Sequence, residues 1–110
     1  MIKRGDVVVV VAPGDFGKPR PAVVVQSDLF NDTHASVAVC LLTTDIVDAP
    51  LFRLDLAPTT RNGLEQPSQI MVDKIVALRR NRVASRIGAL DQEAVVRLNR
   101  SLAFFLGLGD

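Results

Sequence analysis

Pro19-Arg20-Pro21-Ala22-Val23-Val24-Val25-Gln26 is the stretch from which the fold of this 110-residue chain can be read. Two prolines bracket one arginine, and an unbroken apolar run follows them. A short apolar run of this kind predicts a buried strand over Ala22 to Gln26, starting directly after Pro21. Pro19 fixes its own φ, and Pro21 pushes Arg20 toward the extended region. The guanidinium therefore stands on a stiffened backbone at the mouth of a strand.

Working outward, Val7 to Ala12 is a second apolar run, bounded by Gly5-Asp6 and Pro13-Gly14. Ser36 to Leu42 is a third and leads into Thr43-Thr44. Leu51 to Leu56 alternates apolar and polar residues, the two-residue period of a half-exposed strand. Asn62-Gly63 marks a tight turn, and Ser68 to Leu78 brings β-branched bulk at Ile70, Val72, Ile75 and Val76.

The period then changes. Asp91 is a good N-cap with Glu93 in the first turn, and Leu90 and Val95 stand at the positions of a hydrophobic staple. Val95, Leu98, Leu102, Phe105 and Leu106 recur at helical spacing, with Arg97 and Arg100 on the other face. Gly107 and Gly109 stop the helix. The expectation is a mostly β (α+β) fold: a small partly open barrel of about five strands with a C-terminal helical cover. Residues 1–110 read as a single domain, since two halves would each lack a core.

Apolar residues make up 48% of the chain, which predicts a packed core. A domain this small buries only roughly 65% of its unfolded surface, so self-association would add burial. Cys40 is the one cysteine, set in the apolar run Val37 to Leu42, and reads as a buried, reduced thiol. The first hydrophobic run lacks a basic leader of the right length and a cleavage site and is too short to span a bilayer, so the expectation is a cytoplasmic chain without membrane association. Net charge is +1, but the first 50 residues carry −2 and the remaining 60 carry +3. Arg79, Arg80, Arg82 and Arg86 form a local basic patch suited to phosphate backbones, though common on ordinary surfaces.

Several chemistries lack their residues. A lone histidine, His34, provides no acid/base pair and reads as a surface loop residue. There is no Cys/His cluster for zinc, no close-set carboxylates for a two-metal nuclease and no Gly-rich phosphate loop. Asp45 and Asp48 read as a solvated turn. Neither a metal nor a cofactor is expected. Two candidates remain. Arg20 is braced for gripping a phosphate through its two-pronged fork, although a plain surface arginine stays open on spacing alone. Thr43-Thr44 sits where a strand runs out, and its hydroxyls suit phosphoryl contacts or ordinary strand packing equally.

Taken together these pieces resemble the MazF/PemK (also Kid) toxin family over nearly the whole chain. The segments that carry the resemblance begin with Arg4-Gly5-Asp6-Val7-Val8, Arg20 to Asp28, Phe30-Asn31 and Leu41-Leu42-Thr43-Thr44. Gly63-Leu64, Val72-Asp73-Lys74-Ile75 and Ile87-Gly88-Ala89-Leu90 complete the set. The resemblance implies a CcdB-like/SH3-like barrel that forms a homodimer and cleaves single-stranded RNA at short motifs without metal. It further implies a cognate antitoxin whose tail occupies the RNA groove.

The family's catalytic arginine falls on Arg20 and its catalytic threonine on Thr43. RNA contacts are implied at Lys18, Asp28, Thr44 and Lys74, and the loop Gly14 to Pro19 would fold over the RNA. Three departures stand out: Val9 or Val10 where the family commonly has an aromatic, a compact Gly14-Asp15-Phe16-Gly17 loop, and Lys74 where relatives often have Gln. The rival readings are a gyrase-poisoning toxin on the same barrel and a regulatory barrel without activity. The first needs no Arg-Pro/Thr-Thr pair and uses a C-terminal aromatic tail that this chain lacks.

Overall fold

The computed structural model describes residues 1–11 and 17–109. It contains β1 (Asp6–Val11), β2 (Pro19–Val24), α1 (Asp28–Asn31), β3 (Ser36–Thr43), β4 (Arg53–Leu56), β5 (Ser68–Arg79), β6 (Val83–Ala89) and α2 (Gln92–Leu106). The strands form one antiparallel sheet in the order β4-β5-β3-β2-β1-β6. It is not closed, and it has six strands rather than about five. The additional strand is β6. Its outer positions are exposed and carry Ser85 and Arg86, so no apolar alternation announces it. Pairing with β1, across two register shifts, defines it instead.

The two faces of the sheet are packed differently. On one, Val7, Val23, Cys40, Leu42, Ile70 and Val72 meet Ala94, Leu98 and Leu102 of α2. On the other, Val8, Val10, Ala22, Val24, Val37, Val39 and Leu78 form a second cluster without the helix. The staple residues Leu90 and Val95 both join the first cluster, and the Asp91 carboxylate accepts from the Ala94 N–H at 2.8 Å. Gly107 ends α2 in the left-handed region at φ 71°, where a side chain would be strained.

The apolar stripe of α2 outruns the sheet. Leu98 and Leu102 are buried, but Phe105 and Leu106 are about half exposed. The helix overhangs its own core.

Strand bounds shift for identifiable reasons. β2 begins at Pro19, three residues before the expected Ala22, because its pairing with β1 runs from Val23 opposite Val7 to Pro19 opposite Val11. β4 begins at Arg53 because the Ala49 carbonyl accepts both the Phe52 and Arg53 amides and closes a turn there. The Asn62-Gly63 turn is tied down by the buried Asn62 side chain, which accepts from Thr59 and Leu64 amides and donates to the Ala57 carbonyl.

Candidate active site

Arg20 and Thr43 belong to neighbouring strands, and the register relates them. β2 and β3 pair through Val24–Val39, Val23–Cys40 and Ala22–Leu41, where the ladder ends. Continued two residues in the same register, the ladder would set Arg20 opposite Thr43. By the two-residue alternation of a strand, Arg20 follows Ala22 and Val24 while Thr43 follows Val37, Val39 and Leu41. Both therefore lie on the face away from α2. Arg20 also pairs with Val10 of β1, and Thr43 with Gln69 of β5. Both are half-buried.

The prolines explain why the ladder stops. The Val25 N–H donates across to Ala38 of β3, so odd-numbered residues of β2 turn their amides toward β3. Pro19 and Pro21 are odd-numbered and have no N–H to offer. The β1 side of β2, which Val24 serves by accepting from the Gly5 amide, stays zipped. The recorded pairing therefore stops short on the β3 flank only.

Thr43 is oriented as well as placed. Its Oγ1 accepts the Asp45 N–H at 3.0 Å, which fixes the oxygen while leaving the hydroxyl hydrogen for another acceptor. Beside it, Gln69 is 3% exposed and uses its whole carboxamide. Nε2 donates to the Val47 carbonyl and Asp55 Oδ1, both at 2.8 Å, and Oε1 accepts from Val47 N–H and Arg53 Nη1. Gln69 thus holds the segment after Thr43 against β5. Sequence reading passed over it; the signal was a carboxamide at the head of the apolar run Ile70-Met71-Val72.

Lys18 and Thr44 are exposed and flank the pair in sequence. Lys74 is exposed on β5, within the register shift between Leu42–Ile70 and Cys40–Ile75. Asp28 is not brought to Arg20 within the chain. It lies beyond the opposite end of β2, where Oδ1 accepts the Arg4 N–H and the Asn31 side chain at 2.7 Å. These bonds, the Arg4 amide foremost, hold its carboxyl below the usual value. Of the expected covering loop Gly14 to Pro19, residues 14–16 lie outside the described residues.

The basic patch disperses. Arg80 donates to the His34 carbonyl through Nε and Nη2, and Arg86 pairs with Asp6 at 3.1 Å, which leaves Arg79 and Arg82 turned to solvent. His34 is exposed, its ring against Phe30. Cys40 is fully buried, and that burial pushes its thiol up to about 12. Among the described residues, no three His, Cys, Asp or Glu side chains converge as a metal site.

Residues 3–106 match the model of the PemK-like, MazF-like toxin of type II toxin-antitoxin systems. The chain belongs to this family. It is 41% identical over 108 residues to a protein named probable endoribonuclease MazF in Mycolicibacterium smegmatis, covering 97% of this chain and 98% of that one. It is 29% identical over 114 residues to endoribonuclease EndoA of Bacillus subtilis, covering 100% and 98%.

Solved structures share the fold. A mycobacterial endoribonuclease in complex with its cognate antitoxin superposes with TM-score 0.85 at 23% identity, over 100% of this chain and 99% of that one. A MazE-MazF structure from Deinococcus radiodurans gives 0.80 at 19% identity, over 98% and 97%. The family's opening Arg4-Gly5-Asp6 serves architecture in this toxin: Gly5 bonds to Val24 and Leu90, and Asp6 accepts the Lys3 amide.

Proposed function

We propose that this toxin is a metal-independent endoribonuclease that cleaves single-stranded RNA at short sequence motifs, with Arg20 and Thr43 as its catalytic residues. The reading is supported by the β2–β3 register, which continued two residues past its last pair sets them opposite each other, in a chain 41% identical to a protein named as an endoribonuclease. The relatives are named as endoribonucleases, so the gyrase-poisoning alternative gains nothing from them.

The chemistry follows from the groups. The ribose 2′-oxygen attacks its own phosphorus, the bond to the 5′-oxygen breaks, and one proton passes overall from the first oxygen to the second. RNA alone carries the nucleophile. Negative charge builds on the pentacoordinate phosphorus, and a braced guanidinium donating to two oxygens lowers that barrier. A guanidinium has N–H donors and no acceptor, which makes Arg20 unsuited to a base role, while donation to the leaving oxygen is feasible. The Thr43 hydroxyl, its oxygen fixed by Asp45, donates to the phosphate and holds it in line. Lys18, Thr44 and Lys74 add phosphate or sugar contacts from exposed positions. Asp28 enters this reading less easily, because its carboxylate already serves the Arg4 amide and Asn31.

The active species is a homodimer of single-domain chains. The uncovered end of α2 supports this: Phe104 is 66% and Leu108 65% exposed, and apolar surface of that kind is ordinarily covered by a partner. An antitoxin tail in the RNA groove belongs to the same reading, supported by the antitoxin complexes solved for proteins of this fold. So does the likeness to a CcdB-like or SH3-like barrel, supported by apolar clusters on both faces of the sheet. No described helix is long and apolar enough to cross a membrane, and an RNA substrate sets the work in the cytoplasm.

The test is incubation with a long single-stranded RNA in excess EDTA. Fragments with 5′-hydroxyl ends are expected, with Arg20→Ala slowed at least roughly 100-fold. Uncut RNA overturns the reading, and gyrase inhibition in its place restores the rival.

A further inference from the structure

One cleft at the β4 edge of the sheet has no assigned use. It encloses about 340 Å³ between residues 47–50, β4, Gln69 and the Arg97–Ser101 side of α2. Three arginines line it: Arg53, Arg97 and Arg100. Arg97 Nη1 leans on the Asp55 carbonyl at 3.3 Å, and Arg53 Nη1 on Gln69 Oε1 at 3.3 Å, so both heads are partly fixed. The Arg53 Nε is buried without an acceptor, a costly condition for a charged donor, and its outer nitrogens are the ones available to a ligand. Two carboxylates, Asp48 and Asp55, share the wall.

We propose that this cleft is a nucleotide subsite for the RNA substrate, in which the arginines hold a backbone phosphate and the carboxylates meet donor groups on a base. The proposal rests on the ribonuclease reading. Position supports it. Asp55 pairs with Gln69, and Gln69 with Thr43, so the β4 wall of the cleft stands two strand spacings along the sheet from Thr43, roughly 10 Å, and a bound strand would turn round the β4 edge to reach the α2 wall. Chemistry selects the occupant. An acidic protein segment would satisfy the arginines but meet repulsion from Asp48 and Asp55. A nucleotide supplies both partners, since its phosphate accepts from guanidinium while base N–H groups donate to carboxylate. Gln69 is the positioning residue, because it fixes residue 47 and thereby one wall.

The test compares wild type, Arg97→Ala/Arg100→Ala and Asp48→Asn. A fluorescent oligonucleotide, made uncleavable by a 2′-deoxy sugar at the cut, is titrated across salt concentrations. Wild type is expected to bind at least ~10-fold tighter than the double arginine variant, and that variant's log–log salt slope should fall by about 0.7 for each phosphate no longer gripped. Its cleavage defect should lie mainly in KM, and should vanish on substrates too short to reach the cleft. Asp48→Asn should change which bases flank the cut.

Equal affinity and salt slope in folded variants, with cleavage still dependent on Arg20, overturns the subsite and leaves the nuclease reading standing. Loss of a poly-glutamate peptide's binding with RNA binding intact makes the cleft an acidic-protein surface and also overturns it. Uncut RNA in the wild type removes the nuclease reading itself.

Discussion

Gly88 of β6 lies so close to the Asn62 turn that a Cβ on it would sit 2.3 Å from the Asn62 carbonyl carbon and 2.4 Å from the Arg61 oxygen. Gly63 meets the same strand in return, with φ +71° and a Cβ position 2.1 Å from the Ile87 oxygen. Two backbones interlock here, and the Ala89 amide donates to the Arg61 carbonyl to hold them at 2.9 Å. Gly88→Ala cannot be absorbed by a flexible side chain, because its neighbours are backbone atoms. The variant should lose about 3 kcal/mol, seen as a fall in Tm on the order of 15 °C. A thermal scan within a few degrees of wild type would refute the interlock.

Asp28 gives the fold a defined acid sensitivity. Its carboxyl is held below the ordinary 3.8 by the Arg4 amide first and Asn31 second. A depressed folded-state pKa contributes stability above the unfolded value, and that contribution is lost as pH falls through the folded one. Wild type should therefore lose stability below about pH 4, while Asp28→Asn, less stable at pH 7, should show a shallower loss over that window. Parallel melting curves between pH 2.5 and pH 7 decide it.

Cys40 should be inert at neutral pH. With its thiol at about 12 and its side chain fully buried, iodoacetamide should label it only on unfolding, because the thiolate is the reactive form. The same upward shift means its contribution is intact below pH 9 and fades as pH climbs toward 12. Labelling followed by mass spectrometry in buffer and in denaturant is the measurement. Rapid native labelling would contradict the burial.

Conservative changes at the proposed site should separate charge from shape. Arg20→Lys keeps the positive charge but loses the fork, so a deficit of roughly 10- to 100-fold in kcat is expected. Thr43→Ser keeps the hydroxyl and should stay within about 10-fold of wild type, whereas Thr43→Val should approach the Arg20→Ala loss. Single-turnover cleavage of one defined oligonucleotide ranks the four.

Much of this architecture was legible in the residues. Buried strands announce themselves through apolar runs, which located β1, β2, β3 and β5 and most of β4. The Asp91 cap and Gly107 stop fixed both ends of α2 within a residue. β6 escaped because an edge strand with exposed side chains is specified by its hydrogen-bonding partner, and pairing leaves no periodic trace in sequence. The same limit applies to the site. Pro-Arg-Pro drew attention to Arg20, and a strand end to Thr43. That the two face each other is a matter of register, which is set by pairing between strands rather than by either strand alone. Gln69 goes unremarked within a strand run, and the arginines of α2 read as solvent face. Their use depends on the segment between β3 and β4 folding back over the sheet, a tertiary event.

The missing amide hydrogens of Pro19 and Pro21 make the end of the β2–β3 ladder a matter of covalent structure. No balance of weak forces has to be tipped to leave those hydrogen bonds unmade at the proposed site, so neither warming nor salt should govern them. Pro21→Ala would restore one donor and allow the two strands to knit one step further. The resulting enzyme would be sturdier and slower, its entrance sewn up by its own backbone.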